Sequence, residues 1–434
     1  MADTQRLETL DLLRGIAVLG ILVVNAQLFA LPATSLHTPT LLDDFQGAEF
    51  LVWLVSHVFF EGKFVALFAA LFGAGVVLLA TRTEARGGDA ALAHRNRMFA
   101  LALLGLAHGT LVWMGDILLI YAVAGSLVFV AWRASPWRLL GWGLAVYSVP
   151  ILVSLLVGWG IKLAPTTGYV ALASAPLPLH EKVQGAIEAY QGGWLQQMEY
   201  RLPEALARYV LGIPAKLGWF VIGCMLLGMA AYKSGFLTGA WSSRAYGIAA
   251  VLGFGLGVPL SALGVIYREE HNWELLSGLL IGARLNEVAV PFVAVGWVAV
   301  LLLLHRRGFL QRLSWPLQAV GRTALSCYLL QSVVFTTIFY GHGLGLYGEL
   351  GRPVQLLFVL ACWALLLILA PAWLRWAGTG PAEWALREAT RRRLGSRTHA
   401  HALLAWQGLT RLLRSVSPRA PLRLPSAPRL RPGR

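Results

Sequence analysis

Charged residues are scarce in this chain. Only 13% of its 434 residues are Asp, Glu, Lys or Arg, whereas 57% are hydrophobic. A soluble globular domain carries about 25% charged residues, so the composition excludes that class and indicates an integral membrane protein. Cysteine is scarce too: Cys224, Cys327 and Cys362 all fall in apolar runs, and nothing in their spacing indicates a disulfide framework or a metal site.

The familiar signatures of soluble enzymes are also missing. The sequence contains no zinc motif, glycine-rich phosphate loop, nucleophile elbow or dinucleotide fingerprint. Acidic residues number 21 against 36 lysines and arginines, which gives a formal charge of +15. Thirteen of the arginines lie in residues 375–434, after the last apolar run. A basic cytosolic tail against anionic lipid accounts for this excess, so we expect the bilayer and not nucleic acid as the partner.

The first apolar run, residues 12–31, is interrupted by Arg14, Asn25 and Gln27. Its length of about 20 residues matches the hydrocarbon core of a bilayer. Arg14 and Asn25 are eleven residues apart, so they share one helix face, separated by about 16 Å in depth. This pattern is typical of one wall of an intramembrane polar site. The alternative is a signal anchor with an arginine that extends to the interface and an asparagine that bonds to a neighbouring helix.

Apolar runs between charged breaks predict an all-α membrane protein of about ten transmembrane helices. The predicted spans are 12–31, 51–80, 98–113, 117–132, 138–161, 211–232, 245–266, 276–304, 320–340 and 354–376. The second is interrupted at residues 61–63, and the third and fourth form a tight hairpin. With both termini inside, 25 lysines and arginines are cytoplasmic, which favours that orientation. Six are in outer segments: Lys162, Lys182, Arg201, Arg208, Arg268 and Arg352. We expect a membrane domain (1–390) with an outer segment (162–210), either a lid or a passive connector, and a basic tail (391–434).

Four polar residues from the first third of the chain are predicted at similar depth in the outer half of the membrane: Asn25, Lys63, His108 and Asp116. Ionisable residues in spans are functional candidates. A carboxylate beside His108 would support it as a general base. Three of them also have a structural explanation: His108 bonded to a carbonyl, Lys63 extended to the interface, and Asp116 as a turn cap.

A second group lies on the late spans. Arg322 opens the ninth span on the cytoplasmic side, and Tyr328, Gln331 and Ser332 follow on one helix face. They predict a cavity wall, or helix–helix hydrogen bonds. Arg284 and Glu287, three residues apart, are predicted to pair.

Five motifs carry a family resemblance. They are LDLLRGIAVLGILVVNAQLFALP, GKFVALFAALFGAG, GLAHGTLVWMGDILLIYAVAG, GRTALSCYLLQSVVFTTIFYGHGLGLYG and GPAEWALR. With these motifs in order, the chain resembles the YeiB-like bacterial inner-membrane family, domain of unknown function 418, which has been guessed to act in transport. The resemblance implies a multi-pass protein of the bacterial cytoplasmic membrane.

That family is distantly similar to transmembrane acyltransferases of the acyltransferase-3 and heparan-glucosaminide acetyltransferase types. The shared element is Arg-Gly-x-Ala with a polar residue eleven positions after the arginine, here Arg14 and Asn25. Acyltransferase-3 enzymes have a histidine there, whereas the heparan type has asparagine. We expect His108 to serve as the base instead.

These observations favour an enzyme that moves an acyl group from a cytoplasmic, acyl-CoA-like donor to an extracytoplasmic small-molecule acceptor, with no bound cofactor and no metal. The expected catalytic residues are His108 and Asp116. The expected substrate-binding residues are Arg14, Asn25, Lys63, Arg322, Tyr328 and Gln331. In this scheme the two arginines bind donor phosphates. The alternatives are a small-molecule transporter, whose polar residues form a proton relay, and a non-catalytic scaffold. The sequence leaves the oligomeric state open.

Overall fold

The computed structural model describes residues 2–42, 45–163 and 179–391, and all regular structure in these ranges is helical. The helices are α1 (Ala2–Ala30), α2 (Thr34–His37), α3 (Gly47–Val55), α4 (Lys63–Ala85), α5 (Ala90–Leu111), α6 (Leu118–Val128), α7 (Pro136–Leu163), α8 (Leu179–Gln191), α9 (Trp194–Ala207), α10 (Gly218–Lys233), α11 (Ser243–Glu270), α12 (Leu275–Ser277), α13 (Ala283–Arg306), α14 (Gln311–Arg322), α15 (Ala324–Phe339), α16 (Arg352–Ala377) and α17 (Pro381–Arg391). Wider π-helical turns occupy Ser56–Phe60, Arg208–Leu217 and Gly278–Gly282. The predicted tail from 392 onward and residues 164–178 of the predicted outer segment lie outside the described residues.

Seven helical stretches in the described ranges are long and apolar enough to cross a membrane. They are Glu8–Ala30, Gly47–Ala85, Pro136–Ile161, Trp194–Lys233, Ser243–Glu270, Gly278–Arg306 and Arg352–Ala377, with shorter apolar helices at Leu118–Ala131 and Ala324–Phe339. The predicted class, an all-α polytopic bundle, is confirmed. The count of ten spans and the inside position of both termini stay predictions.

The first helix occupies the centre of the bundle. Its apolar window is 83% buried, whereas that of α7 is only 22% buried. Small residues permit this packing: the Cα of Gly15 lies against the Leu317 carbonyl of α14, and Gly321 lies against the Asp11 carbonyl of α1. In lipid, such backbone contacts replace the hydrophobic drive that would bring helices together in water. The polar side chains of α1 are therefore surrounded mainly by protein.

Two predicted spans are each built from two helices. The stretch Gly47–Ala85 has 39 residues, about 58 Å as one helix and too long for a bilayer. It breaks at the predicted place, where Gly62 has a φ of +77°, a conformation that favours glycine. The span predicted at 320–340 is instead divided at Thr323. The cause is Glu383 of α17, whose Oε1 accepts hydrogen bonds from the backbone N–H groups of Leu325 (2.7 Å) and Ser326 (3.2 Å) and so caps a new helix.

Exposed tryptophans mark the two ends of the bundle. On α7, Trp137 is 80% exposed and Trp159 is 64% exposed. The 22 residues between them cover about 33 Å, close to the thickness of a bilayer core, and tryptophan is enriched at both membrane interfaces. Trp376, at the end of α16, is also 80% exposed. The described part of the chain therefore has the surface of a membrane-embedded bundle.

Candidate functional site

The hairpin between α5 and α6 brings His108 and Asp116 together. Gly105 allows α5 to lie directly against the backbone of Leu118 and Leu119, so the helices run close together and the turn is tight. His108 Nδ1 lies 2.8 Å from Asp116 Oδ1. The other carboxylate oxygen accepts a hydrogen bond from the Leu119 backbone N–H, at 3.0 Å. Asp116 therefore caps α6 and also bonds to the histidine.

This pairing determines which histidine nitrogen is free. An ionised carboxylate only accepts hydrogen bonds, so the proton of a neutral His108 resides on Nδ1. Its Nε2 is buried and has no hydrogen-bond partner among the described residues. The Tyr328 ring of α15 lies 5.4 Å from the imidazole, centroid to centroid. The arrangement is a buried imidazole whose free nitrogen can accept a proton.

The described part of the outer segment packs on this hairpin. Arg208 Nη2 donates to the Asp116 carbonyl at 3.3 Å, and the Tyr209 hydroxyl lies against Gly109. Arg201 is fully buried and donates to the carbonyl of Val112. These contacts place α9 and the turn after it over the His108 site, as a lid would be. The sequence predicted Arg201 and Arg208 only as outer charges, although their seven-residue spacing puts them on one helix face.

A tyrosine cluster attaches α8 to the loop that follows α15. The Tyr190 ring lies 4.6 Å from that of Tyr340 and 4.8 Å from that of Tyr347. Gly341 N–H donates to the Tyr190 carbonyl at 2.8 Å. Burial raises the pKa of Tyr190 to about 12, so its hydroxyl stays protonated at neutral pH. The outer segment is thus connected to the helix that carries Tyr328.

The predicted donor-binding arginines meet at the opposite end of the bundle. Arg14 Nη1 lies 2.7 Å from Asp11 Oδ1, and Asp11 also interacts electrostatically with Arg322. Arg97 of α5 lies close enough to interact with Arg14. The structure therefore brings Arg14 and Arg322 to one carboxylate, with Arg97 close to Arg14. From Arg97 to His108 is eleven residues along α5, about 16 Å.

Asn25 and Gln331 have different surroundings. Asn25 is half-buried, and none of the described residues hydrogen-bonds to its side chain. It precedes Phe29 by one helical turn, and the Phe29 ring stacks on Trp113 of the hairpin turn at 4.0 Å, so Asn25 is on the face of α1 that turns toward the hairpin. Gln331 Nε2 donates to the Val18 carbonyl at 3.3 Å, which is the helix–helix bond that the sequence allowed as an alternative.

Lys63 belongs to a second polar cluster and is not brought to His108. Its ammonium donates to the His57 carbonyl at 2.6 Å and to Asn286 Oδ1 at 2.5 Å. Ser261 Oγ donates to the same amide oxygen at 2.8 Å. Lys63 itself is fully buried. This cluster joins α4, α11 and α13 beside the break between α3 and α4.

The same break carries a second histidine–carboxylate pair that the sequence reading missed. His57 Nδ1 lies 2.5 Å from Glu61 Oε2, and the His57 ring stacks on Trp53 at 4.8 Å. Together with Val24 and Gln27 of α1, these side chains line a small cavity. The four-residue spacing of His57 and Glu61 is the signal that could have identified the pair.

Three further ion pairs involve the carboxylates of Glu287 and Glu49. Arg284 pairs with Glu287 at 2.9 Å, and Lys216 is a second partner of that carboxylate. Arg352 is buried and pairs with Glu49 at 3.3 Å. Among residues 2–42, 45–163 and 179–391, no group of three or more His, Cys, Asp or Glu is placed to hold a metal ion.

Fold and site together define a class: a polytopic helical membrane protein with a buried histidine–aspartate pair at one end and clustered arginines at the other. The chain belongs to the DUF418 family. Residues 231–393 match the family model described as "Protein of unknown function (DUF418)". That region contains Arg322, Tyr328 and Gln331 but not the α5–α6 hairpin.

Similarity to individual relatives extends over nearly the whole chain. The chain is 31% identical to "Uncharacterized protein YeiB" of Escherichia coli (strain K12) over 399 residues, 90% of this chain and 98% of that protein. It is 30% identical to "Uncharacterized protein YxaH" of Bacillus subtilis (strain 168) over 407 residues, 89% and 94% of the two chains. An "Uncharacterized 39.9 kDa protein in amylase 3'region" of Bacillus acidopullulyticus is 26% identical over 390 residues, 90% and 95%. No solved structure matches the chain.

Proposed function

We propose that the protein is a membrane acyltransferase that moves an acyl group from a cytoplasmic thioester donor, of the acyl-CoA class, to a hydroxyl or amine on the outer side. The observation that carries this proposal is the His108–Asp116 pair, with Nδ1 bound and Nε2 buried and unpartnered. Bacterial relatives and the charge distribution support the cytoplasmic membrane as its location, with both termini inside.

In the proposed reaction His108 acts as general base. Its Nε2 takes the proton from the acceptor hydroxyl or amine as the acceptor oxygen or nitrogen attacks the thioester carbonyl carbon. Asp116 stabilises the imidazolium that forms. The C–S bond then breaks, and the thiolate leaves with the proton that the imidazolium returns. The products are the acylated acceptor and a free thiol.

The negative charge that develops on the reacting carbonyl oxygen also needs a hydrogen-bond donor. Arg208 is near Tyr328 and Asp116, and its Nε has no acceptor among the described residues. We assign it to the developing oxyanion, a role that preorganised donors fill well in dry sites. Asn25, on the face of α1 toward the hairpin, is assigned to the acceptor. Lys63 belongs to the separate polar cluster with His57 and Asn286, so we assign it no role in acyl transfer.

The donor would be held at the inner end. Arg14 and Arg322 are the proposed ligands of its phosphates, and arginine binds phosphate oxygens in a bidentate way. Arg97 and His108 are about 16 Å apart along α5. A donor that spans this distance needs a long, extended arm, such as the pantetheine arm of acyl-CoA. This distance favours a thioester carrier over a small activated acyl phosphate.

The test is turnover of acetyl-CoA by the purified protein in nanodiscs, measured as release of free thiol with a panel of sugar and amine acceptors. His108→Gln should lower turnover about 10²–10⁴-fold, the usual contribution of a general base. The matched control is His94→Gln: His94 is buried on the same helix and bonds to the Gly125 carbonyl at 3.0 Å. Undiminished turnover in His108→Gln, or equal loss in both variants, would reject the assigned base.

The second candidate function is proton-coupled transport, favoured by the cluster at the break between α3 and α4. Broken helices with ionisable residues at membrane depth recur at transporter sites, and Lys63 and His57 lie there. In proteoliposomes, Lys63→Gln should abolish substrate-dependent proton uptake while Lys216→Gln retains it. Thiol release that depends on His108, without proton uptake, would reject transport.

A further inference from the structure

A separate cleft opens at the end of the bundle opposite His108. It has a volume of about 450 Å³ and lies between the last turns of α10 and α13 and the loop that joins α10 to α11. Its polar lining includes Thr9, Lys233, Thr238, His305 and Arg306. None of these residues belongs to the predicted site or to the acyl-transfer proposal. Lys233 and Arg306 are in segments predicted to be cytoplasmic, so the cleft would face the cytosol.

The cleft carries excess positive charge. Its described lining contains Lys233, Arg306 and His305 but no Asp or Glu. The C-terminal ends of α10 and α13 each contribute about half a negative charge. Two side-chain cations outweigh these two half charges by about one positive charge, before any proton on His305. An anionic ligand is therefore favoured over a cation or a neutral molecule.

The cations are held in place by protein contacts. Arg306 donates to the carbonyls of Trp241 (2.7 Å) and Gly239 and lies 4.9 Å from the Tyr246 ring centroid. Lys233 Nζ donates to the Ala134 carbonyl at 2.7 Å. Each group therefore has a fixed position, with donor capacity remaining on the ammonium. Fixed donors bind a ligand without losing side-chain freedom.

Two further features match oxygen-rich anions. His305 Nδ1 is buried and has no hydrogen-bond partner among the described residues. The loop between α10 and α11 contains Gly235 and Gly239 with φ of +84° and +74°, which lets it turn tightly around the cleft. Thr238 lines the cleft, and its hydroxyl donates to the Gly235 carbonyl at 3.1 Å, which holds the turn in place. An imidazole and fixed cations are donors from which phosphate oxygens accept hydrogen bonds.

We infer that this cleft binds a phosphate-bearing ligand. The shared chemistry, a phosphate group, has two sources at this location: a soluble cytosolic compound, or the headgroup of an anionic lipid at the membrane surface. The inference does not depend on acyl transfer, because none of the lining residues takes part in the His108 chemistry.

The experiment measures thermal unfolding of the full-length protein in nanodiscs by tryptophan fluorescence. One arm titrates inorganic pyrophosphate in phosphatidylcholine nanodiscs, and the other replaces one fifth of the lipid with phosphatidylglycerol. Saturable stabilisation by pyrophosphate indicates a soluble ligand, whereas stabilisation by phosphatidylglycerol alone indicates a headgroup. In either arm, Lys233→Gln should reduce the thermal stabilisation at least tenfold. His305→Gln should also reduce the stabilisation, and it leaves the contacts between Arg306 and the loop in place.

Arg307→Gln is the matched control. Arg307 is the next residue along, is exposed, and does not line the cleft. It should leave both responses unchanged. No stabilisation in either arm, or equal weakening by Arg307→Gln, would overturn the inference, because the response would then be absent or would reflect general surface charge. If the His305→Gln variant without ligand unfolds at the same temperature as the unmodified protein, its weaker response to the ligand is not due to misfolding.

Discussion

The His108–Asp116 contact predicts a measurable coupling between two residues. Asp116→Asn removes the charge but keeps an oxygen for the α6 cap, because asparagine caps helices as well as aspartate does. The loss should therefore come from the bond to His108. A hydrogen bond to a charged group contributes about 1.5–3 kcal/mol. We expect Asp116→Asn to lower the free energy of unfolding by about this amount, measured by SDS titration in mixed micelles.

A double-mutant cycle isolates the pair. With His108→Gln as the second change, the coupling energy should be about 1–3 kcal/mol, as for other residues in direct contact. The control cycle pairs Asp116→Asn with His94→Gln; His94 is 14 residues before His108 on α5, about 21 Å away, so those effects should add within about 0.5 kcal/mol. Coupling no larger than the control would refute the pairing. In the turnover assay the double variant should fall no lower than His108→Gln alone, because residues that act as a unit are not additive.

Three further changes test packing, capping and docking. Gly73→Ala should lower the free energy of unfolding by about 1–3 kcal/mol in SDS titration, because its methyl group would meet the Met225 backbone. Glu383→Gln should cost about 0.5–2 kcal/mol, because it removes the negative charge at the start of α15 and the oxygen that accepts from the Ser326 hydroxyl, and should speed hydrogen exchange in the first turn of that helix. Arg201→Met should speed exchange across α9, because the Val112 carbonyl loses its donor.

Each of these changes has a matched control. Gly75 is on the same helix as Gly73 and a Cβ there would meet nothing, so Gly75→Ala should not destabilise. Glu84→Gln removes an exposed carboxylate and should leave exchange in α15 unchanged. Glu204→Gln, on the exposed side of α9, should leave exchange in α9 unchanged. Equal effects in change and control would contradict the contacts described for Gly73, Glu383 or Arg201.

Local features of the site followed from the sequence. His108 and Asp116 are eight residues apart across a tight turn, so a hairpin brings them together whatever the remaining helices do. The helix break at 61–63 was likewise predictable, because a 39-residue helix exceeds the bilayer and glycine adopts the required φ. Composition alone was enough for the all-helical membrane class.

Contacts between distant helices did not follow from the sequence. Lys63 bonds to Asn286, 223 residues away, and Gln331 bonds to Val18, 313 residues away. In a membrane protein the helix faces that contact lipid are as apolar as those that contact other helices. The hydrophobic periodicity of the sequence therefore does not reveal which helices are neighbours. For the same reason Arg352 was read as a loop charge, although it is buried against Glu49.

The central position of α1 has a consequence for biogenesis. This helix emerges from the ribosome well before three of the helices around it, because α14, α15 and α16 begin roughly 280 residues or more after it ends. Arg14 and Asn25 therefore wait in the translocon or in lipid until the last third of the chain has been inserted. A nascent chain cut off before α14 would retain these polar groups without their protein surroundings, and membrane proteases should remove it rapidly.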